Sequence, residues 1–418
     1  MYDPPQILRQ ILDAAIASCH PSSVVAPALP ARPAGRIVVV GAGKASAAMA
    51  AAVEEAWGGP LEGAVVTRYG HGAPTRFITV TEAQHPLPDA AGLHSAEKAL
   101  ELVTGLTLDD TVLALLSGGG SALWSAPLPP VNLSEKQSLT RSLVLSGAPI
   151  GEINCVRKHL SKIKGGRLAA AAFPARILTL AISDVVSDDP SVIASGPTTG
   201  DHTTTADALA ILQRLRIAVP QNVLEVLNSA AGETIKAGDK RLSRSGYWII
   251  ARGSDALSAA CDQAHRHGIA TKLLGVNLEG DARQLGRAHG EIARNQMPVS
   301  HPVLLVSGGE LTVKVSGSGK GGPNREYLMG LAKSLQGAAG IWALAADTDG
   351  IDGSEPFAGG WIAPDTLEKA RRCGVDVDQC LAGNDSARFF AALNQHIETG
   401  PTRTNVNDLR AILLMPQT

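Results

Sequence analysis

Glycine-rich turns that could bind phosphate follow three apolar segments of the sequence. The turns are Gly41–Lys44, Ser117–Ser121 and Gly308–Glu310. Glycine lets a backbone approach a phosphate closely, and the positive end of a following helix favours an anion. Lys44 adds a positive charge, so we assign it a catalytic role. The residues expected to contact phosphate are Gly41, Gly43, Ser117, Gly118, Gly119, Gly120, Ser121, Gly308 and Gly309.

A fourth glycine-rich segment, Gly319–Glu326, carries two cations just before a predicted helix. We expect Lys320 and Asn324 to contact phosphate and Arg325 to act in catalysis. The alternative is a plain connection in which Asn324 caps the helix.

Carboxylates cluster after two predicted strands, in residues 184–189 and 347–352. Mg²⁺ prefers oxygen ligands and usually binds one or two carboxylates together with substrate phosphates. We expect metal ligands among Asp184, Glu310, Asp347 and Asp349, and we expect Asp189 to accept a proton from the substrate. The alternative for each aspartate is a turn or a helix cap. The second loop lacks the downstream glutamate of an EF-hand.

Six groups that can carry positive charge lie within residues 152–167. On a helix, Asn154, Lys158, Ser161 and Lys162 would share one face. Such a face could bind an acidic substrate, and the alternative is a solvated surface helix. We assign Lys158 and Arg167, together with His85, to substrate binding.

The alternative to phosphate binding by the first turn is a hydride-transfer enzyme. Gly41-Ala42-Gly43 also matches the start of the glycine motif by which such enzymes bind a dinucleotide. Ser46 occupies the place of the third glycine, and Thr67-Arg68 ends the next strand where an acidic ribose ligand is expected. The dinucleotide motif is therefore incomplete.

These residues need a scaffold of alternating strands and helices. Uninterrupted apolar runs such as Val38–Val40 and Val112–Leu116 predict strands buried on both faces, hence a parallel sheet covered by helices. The polar segment 232–245 suggests a boundary near residue 240. The sequence therefore predicts an α/β protein with domains 1–240 and 241–418.

The net charge of the chain limits the kinds of partner that we expect. The 418 residues carry a formal charge of −2, so we expect neither nucleic acid nor membrane as a partner. The odd number of cysteines, five, without a C-x-x-C pair, predicts reduced thiols. The N-terminal segment resembles an amphipathic helix and not a secretory signal, so we expect a cytoplasmic location.

Several motifs together resemble the glycerate 2-kinases that have a C-terminal MOFRL domain. They are GAGKA, HPLPD, SGGGSAL, NCVRKHLSKIKGGRLA, SDVVSDDPSVIASGPTTGD, SGGE, ADTDGIDG and TGPTRTNVNDL. The resemblance implies ATP- and Mg²⁺-dependent phosphorylation of D-glycerate on its 2-hydroxyl, in a cleft between a Rossmann-like N-terminal domain and a smaller MOFRL-type α/β domain. Members are also labelled hydroxypyruvate reductase, the NAD(P)H-dependent alternative. A homodimer is left open.

One departure from the family pattern concerns the fourth glycine-rich segment. Many relatives read G-G-R-N-Q-E where this chain reads Gly321-Gly322-Pro323-Asn324-Arg325-Glu326. The arginine is thus displaced by two positions. Either Arg325 substitutes from the first turn of the helix, or Lys320 or another cation does.

Overall fold

The computed structural model describes residues 3–417, which form two compact units. One unit is Pro21–Ile250, and the other combines residues 3–20 with residues 251–417. The first helix therefore packs with the C-terminal part of the chain, which a single boundary near residue 240 does not anticipate. A helix that lies first in the chain carries no sequence signal for the unit against which its apolar face packs.

The first 250 residues alternate helices and strands. The helices are α1 (Pro4–Ser18), α2 (Pro21–Ala28), α3 (Ser46–Trp57), α4 (Ala90–Val103), α5 (Gly120–Leu123), α6 (Leu133–Leu145), α7 (Ile150–His159), α8 (Arg167–Ala172), α9 (Thr205–Arg214) and α10 (Gln221–Leu227). The strands are β1 (Ile37–Ala42), β2 (Glu62–Arg68), β3 (Thr79–Ala83), β4 (Thr111–Leu116), β5 (Arg176–Ile182) and β6 (Ser245–Ala251).

The sheet of the first unit has the strand order β3-β2-β1-β4-β5-β6. Strands β1 and β4 are parallel neighbours, with Val38 opposite Val112 and Ala42 opposite Leu116. The strand order reverses between them, and open α/β sheets bind ligands beyond the carboxyl ends of the strands at such a point. The predicted Rossmann-like α/β class is confirmed, and its switch point lies between the first two glycine turns.

Burial explains why these segments become strands. Every residue of β1 and β4 is buried, so the apolar runs have both faces covered by helices, as the sequence predicted. Helix α4 begins where Asp89 accepts a hydrogen bond from the Gly92 amide at 2.9 Å. This cap determines the start of the helix at Ala90.

The second unit is also an α/β structure. Its remaining helices are α11 (Gly253–Arg266), α12 (Ala282–Gln296), α13 (Pro323–Leu335), α14 (Thr366–Arg372), α15 (Val377–Gly383) and α16 (Ser386–Leu393). Its strands are β7 (Ala270–Gly275), β8 (Gly280–Asp281), β9 (Val303–Gly309), β10 (Leu311–Thr312), β11 (Ile341–Asp347), β12 (Gly359–Ile362), β13 (His396–Ile397) and β14 (Asp408–Leu414). The main sheet has the order β13-β12-β11-β14-β9-β7, in which only β7 and β9 pair in parallel.

The length and the apolar content of the helices can be compared with what a membrane-spanning helix needs. Among residues 3–417, no helix combines the length and the apolar character that a bilayer crossing requires.

Candidate active site

The turns after β1 and β4 bond directly to each other. The Ser117 amide donates to the Ala42 carbonyl at 3.1 Å, and the Lys44 amide donates to the Gly118 carbonyl at 2.8 Å. The Ala45 amide donates to the Ser117 hydroxyl at 3.0 Å. Two of the predicted phosphate turns therefore form one structure at the switch point of the sheet.

Glycine is required where these turns meet. Gly43 has a φ of +139°, and a Cβ there would lie 2.1 Å from the Ser117 hydroxyl oxygen. Gly119 has a φ of +82°, and a Cβ there would lie 3.1 Å from the His85 ring and 3.5 Å from Cγ of Lys44. Three predicted site residues, Lys44, His85 and Gly119, are thus brought together.

The segment 193–195 packs against the second turn in an unusual backbone conformation. Ala194 and Ser195 have φ values of +51° and +61°, which L-residues rarely adopt. The Ser195 hydroxyl lies 2.7 Å from the Ser121 hydroxyl and donates to Asn154 Oδ1 at 3.4 Å. Backbone strain of this kind tends to occur at functional sites, where the surrounding contacts hold it in place.

Two cations bond to the same carbonyl group of the second turn. Lys164 Nζ donates to the Ser121 carbonyl oxygen at 2.6 Å, and Arg157 Nη2 donates to it at 3.1 Å. Lys164 Nζ also lies 3.2 Å from the Ser121 hydroxyl, to which it donates. The Ser121 turn is therefore held by positive charge.

Burial raises the free energy of the charged forms of these side chains. Burial, and then the neighbouring cations Arg157, Lys136 and Lys158, lower the pKa of Lys164 well below its ordinary value. Burial lowers the pKa of Arg157 to about 10, and burial with the Arg157 charge lowers the pKa of Lys136 as well. Each shift shows that the surroundings disfavour the charged form.

Within residues 3–417, none of Lys136, Arg157 and Lys164 forms a salt bridge, whereas Lys158 pairs with Asp201 at 3.2 Å. Lys136 Nζ donates to the Leu160 carbonyl at 3.2 Å instead. An excess of buried positive charge next to a glycine turn is suited to an anionic ligand.

A cavity of about 430 Å³ opens beside this charge. Gly119, Ser121, His85 and Arg157 are among the residues that line it. The phosphate turn thus faces a space that can hold a small molecule.

The sequence analysis did not single out Arg157, Lys164 and Ser195 as site residues, and it named Asn154 only as part of a helix face that could bind an acidic substrate. Helix α7 ends at His159, so Ser161 and Lys162 leave the face that a longer helix would have shared with Asn154 and Lys158. The expected single face is therefore wrong. The sequence did contain a signal that this segment is buried, because the apolar residues Leu160 and Ile163 lie between the cations. Both are buried in the structure.

The two cations assigned to substrate binding have partners within the first unit. Lys158 bonds to Asp201, and Arg167 Nη2 donates to the carbonyls of Ala231, Gly232 and Glu233 at 2.8, 3.0 and 2.9 Å. These contacts stabilise loops, and they favour Arg157 as the cation that faces a ligand.

Arg325 lies in the second unit and is buried in ion pairs. Its Nε donates to Asp352 at 3.0 Å and its Nη1 to Glu355 at 2.7 Å. Asn324, also buried, donates from its side chain to Asp408 at 2.7 Å. Both residues of the displaced motif thus have structural contacts, because α13 begins at Pro323 and its first turn faces the carboxylates.

The remaining predicted phosphate ligands of the second unit also have structural neighbours. A Cβ at Gly308 would lie 2.9 Å from the Val276 carbonyl oxygen, and one at Gly309 would lie 2.3 Å from the Leu278 backbone. Close chain packing accounts for both glycines. The Lys320 side chain is exposed, and its amide donates to Asp385 at 3.4 Å.

The predicted metal ligands lie in separate units, Asp184 in the first and Glu310, Asp347 and Asp349 in the second. Asp347 and Asp349 accept hydrogen bonds from backbone amides two residues further on, at 2.9 and 2.8 Å, as turn-forming aspartates do. No cluster of three or more His, Cys, Asp or Glu side chains in residues 3–417 could hold a metal ion.

Asp189 is exposed and forms a turn, accepting a hydrogen bond from the Ser191 amide at 2.8 Å. It stands in the loop that leads from β5 to the strained Ala194 and Ser195. The loop therefore connects the predicted proton acceptor to the phosphate turn.

Family models match most of the chain. Residues 7–228 match a family described as "Domain of unknown function (DUF4147)", and residues 303–408 match the MOFRL family. The first match covers the cations, the two turns and the cavity described above.

The similar proteins carry two kinds of enzyme name, glycerate kinase and hydroxypyruvate reductase. The chain is 38% identical to the D-glycerate 2-kinase of Thermotoga maritima, over 98% of this chain and 99% of that protein. It is 35% identical to the glycerate kinase of Homo sapiens, over 98% and 93% respectively. It is also 50% identical, over 98% and 94%, to an Agrobacterium vitis protein provisionally named hydroxypyruvate reductase.

The crystal structure of a Thermotoga maritima glycerate kinase matches the fold with a TM-score of 0.89, at 38% identity, covering 98% of this chain and 99% of that one. The expected kinase family is confirmed at full length. The chain belongs to the glycerate kinase family with a C-terminal MOFRL domain.

Proposed function

We propose that this protein transfers the γ-phosphoryl group of ATP to the 2-hydroxyl of D-glycerate, giving 2-phosphoglycerate and ADP. One observation carries the proposal: buried Lys164 and half-buried Arg157 bond to the Ser121 carbonyl without a carboxylate partner in the described residues. Relatives over the full length of the chain are named D-glycerate 2-kinase and glycerate kinase. Transfer of a phosphoryl group needs positioning and positive charge above all.

In the proposed reaction, Lys44 and the amides of Gly118 and Gly119 hold the phosphates, whereas the Gly120 amide, also predicted to bind phosphate, donates to the Ser117 carbonyl at 3.2 Å. Arg157 contributes positive charge at the cavity, and Lys164 stabilises the Ser117–Ser121 turn through its hydrogen bond to the Ser121 carbonyl. The glycerate 2-oxygen bonds to the γ-phosphorus as the bond from that phosphorus to the bridging oxygen breaks, and ADP leaves with the electron pair. Asp189 accepts the hydroxyl proton late in the transfer. His85 remains our candidate for contact with the substrate.

Mg²⁺ enters the proposal with the nucleotide. A metal bound to nucleotide phosphates usually takes only one or two protein carboxylates and keeps several waters, so a preformed three-residue cluster is not required. The candidates remain Asp184, Glu310, Asp347 and Asp349. The ion would neutralise phosphate charge, which weakens the repulsion of an approaching oxygen.

The reductase alternative rests on the provisional names of two relatives. The chain does not favour it, because Ser46 stands at the third glycine position and its hydroxyl donates to the Val66 carbonyl at 2.6 Å. Strand β2 ends in Arg68 without an acidic ribose ligand.

A paired assay tests the function directly. With D-glycerate, ATP and Mg²⁺ we expect ADP release and a product with phosphate on the 2-oxygen, identified by phosphorus NMR. With hydroxypyruvate and NADH or NADPH we expect no loss of nucleotide absorbance. Reduction of hydroxypyruvate without ADP release in the first mixture would refute the kinase proposal.

Lys44→Ala should lower kcat by about 10³-fold or more, because a positive charge aimed at the transferred group is lost. The matched control is Lys240→Ala, which removes an exposed lysine from a short helical turn of the same unit. Both variants should unfold at the wild-type temperature. Near-normal turnover of Lys44→Ala would remove Lys44 from the mechanism.

Arg325→Met tests whether the displaced arginine is catalytic or structural. Removal of one partner from a buried ion pair destabilises proteins by about 3–5 kcal/mol, since Asp352 is left buried with its charge uncompensated. Urea denaturation should show this loss. If stability is unchanged while kcat collapses, the residue is catalytic and the contacts described above are secondary.

A further inference from the structure

Apart from its charged residues, the lining of the cavity beside the phosphate turn is mostly apolar. Four large side chains in its lining are unusually exposed: Leu87 is 46% exposed, Val144 59%, Leu145 80% and Ile150 65%. Exposed apolar residues that gather around one concavity usually mark a binding surface. A ligand that covers them would gain free energy from removing apolar area from water.

The size of the cavity excludes glycerate as the ligand that fills it. Cavities of about 300–1,000 Å³ enclose ligands of drug size, and this one measures about 430 Å³. Glycerate is a three-carbon acid that carries polar groups on every carbon, so it cannot cover apolar walls.

Besides the residues next to the Ser117–Ser121 turn, three polar side chains stand among the apolar ones, namely Gln137, Thr140 and the charged Arg141. Gln137 Nε2 donates to the Pro88 carbonyl at 2.6 Å, which fixes the orientation of its amide, and Thr140 supplies a hydroxyl. Apolar walls with a small number of placed polar groups suit a flat heterocycle that has hydrogen-bonding edges.

The cavity is lined in part by residues of the Ser117–Ser121 turn. Gly119, Ser121 and Arg157 line the same cavity as Leu87 and Val144, so a molecule that fills it meets both apolar side chains and positive charge. A nucleotide has parts that suit both.

Resting on the kinase function proposed above, we propose that this cavity binds the nucleoside of the phosphoryl donor. The base lies against Leu87, Val144 and Ile150, and the phosphates extend toward Gly119 and Arg157. A hydroxy acid with an apolar tail is the competing ligand, and the experiment below separates the two.

The test fills the cavity with Val144→Trp. Val144 is more than half exposed on α6, so its replacement leaves the core intact. The matched control is Ser142→Trp, which adds the same ring to an exposed position of the same helix outside the cavity lining. Three quantities are measured for each: the KM for ATP, the KM for D-glycerate, and the dissociation constant of inorganic tripolyphosphate, which has no nucleoside.

We expect Val144→Trp to raise the KM for ATP by about tenfold or more, a loss comparable to that of one good apolar contact. The KM for D-glycerate and the affinity for tripolyphosphate should stay at wild-type values, and Ser142→Trp should change none of the three. An unchanged KM for ATP, or a rise in the KM for D-glycerate alone, overturns the inference while glycerate-dependent ADP release persists.

Adenosine separates this inference from the kinase proposal. Calorimetry should detect adenosine binding to the wild type and its loss in Val144→Trp, whether or not the protein turns over glycerate. Binding of adenosine that Val144→Trp leaves intact would place the base elsewhere. A wild type without ADP release refutes the kinase function instead.

Discussion

The carbonyl oxygen of Ser121 accepts hydrogen bonds from two cations that have no carboxylate partner in residues 3–417, and the site depends on this contact. Lys164 is buried, and within the described residues its side chain bonds to the Ser121 carbonyl and the Ser121 hydroxyl. Such a cation has a high free energy in the empty protein, and an anion bound at the turn would lower it. The order of the strands puts this turn beside Lys44, and Gly43 and Gly119 let the two turns approach each other closely.

The turns themselves could be predicted from the sequence because local rules determine them. A fully buried strand needs an apolar run, and a positive φ at Gly43 or Gly119 favours glycine. The sequence therefore shows the pattern of β1 and β4, an apolar strand followed by a glycine turn. Their adjacency follows from the usual strand order of such sheets. The class of the fold was predictable for the same reasons.

The burial of particular cations was not predictable, because it depends on contacts between distant segments. Lys164 reaches Ser121 across 43 positions, and Arg325 reaches Glu355 across 30. Both are charged residues in glycine-containing segments, yet one supports the phosphate turn of the first unit and the other an ion-pair cluster of the second. Charge and spacing alone do not distinguish these roles, whereas partners and burial do.

The most direct test of the central claim is proton uptake when ADP binds. An anion at the turn should raise the lowered pKa of Lys164, so binding at a pH between its values in the empty and occupied states takes up as much as about one proton. Calorimetry at alkaline pH, where the phosphates of ADP are already ionised, in two buffers with different heats of ionisation measures this uptake. Our account predicts a buffer-dependent heat for the wild type that Lys164→Met abolishes. Equal heats for wild-type binding in both buffers, across the neutral to alkaline range, would contradict it.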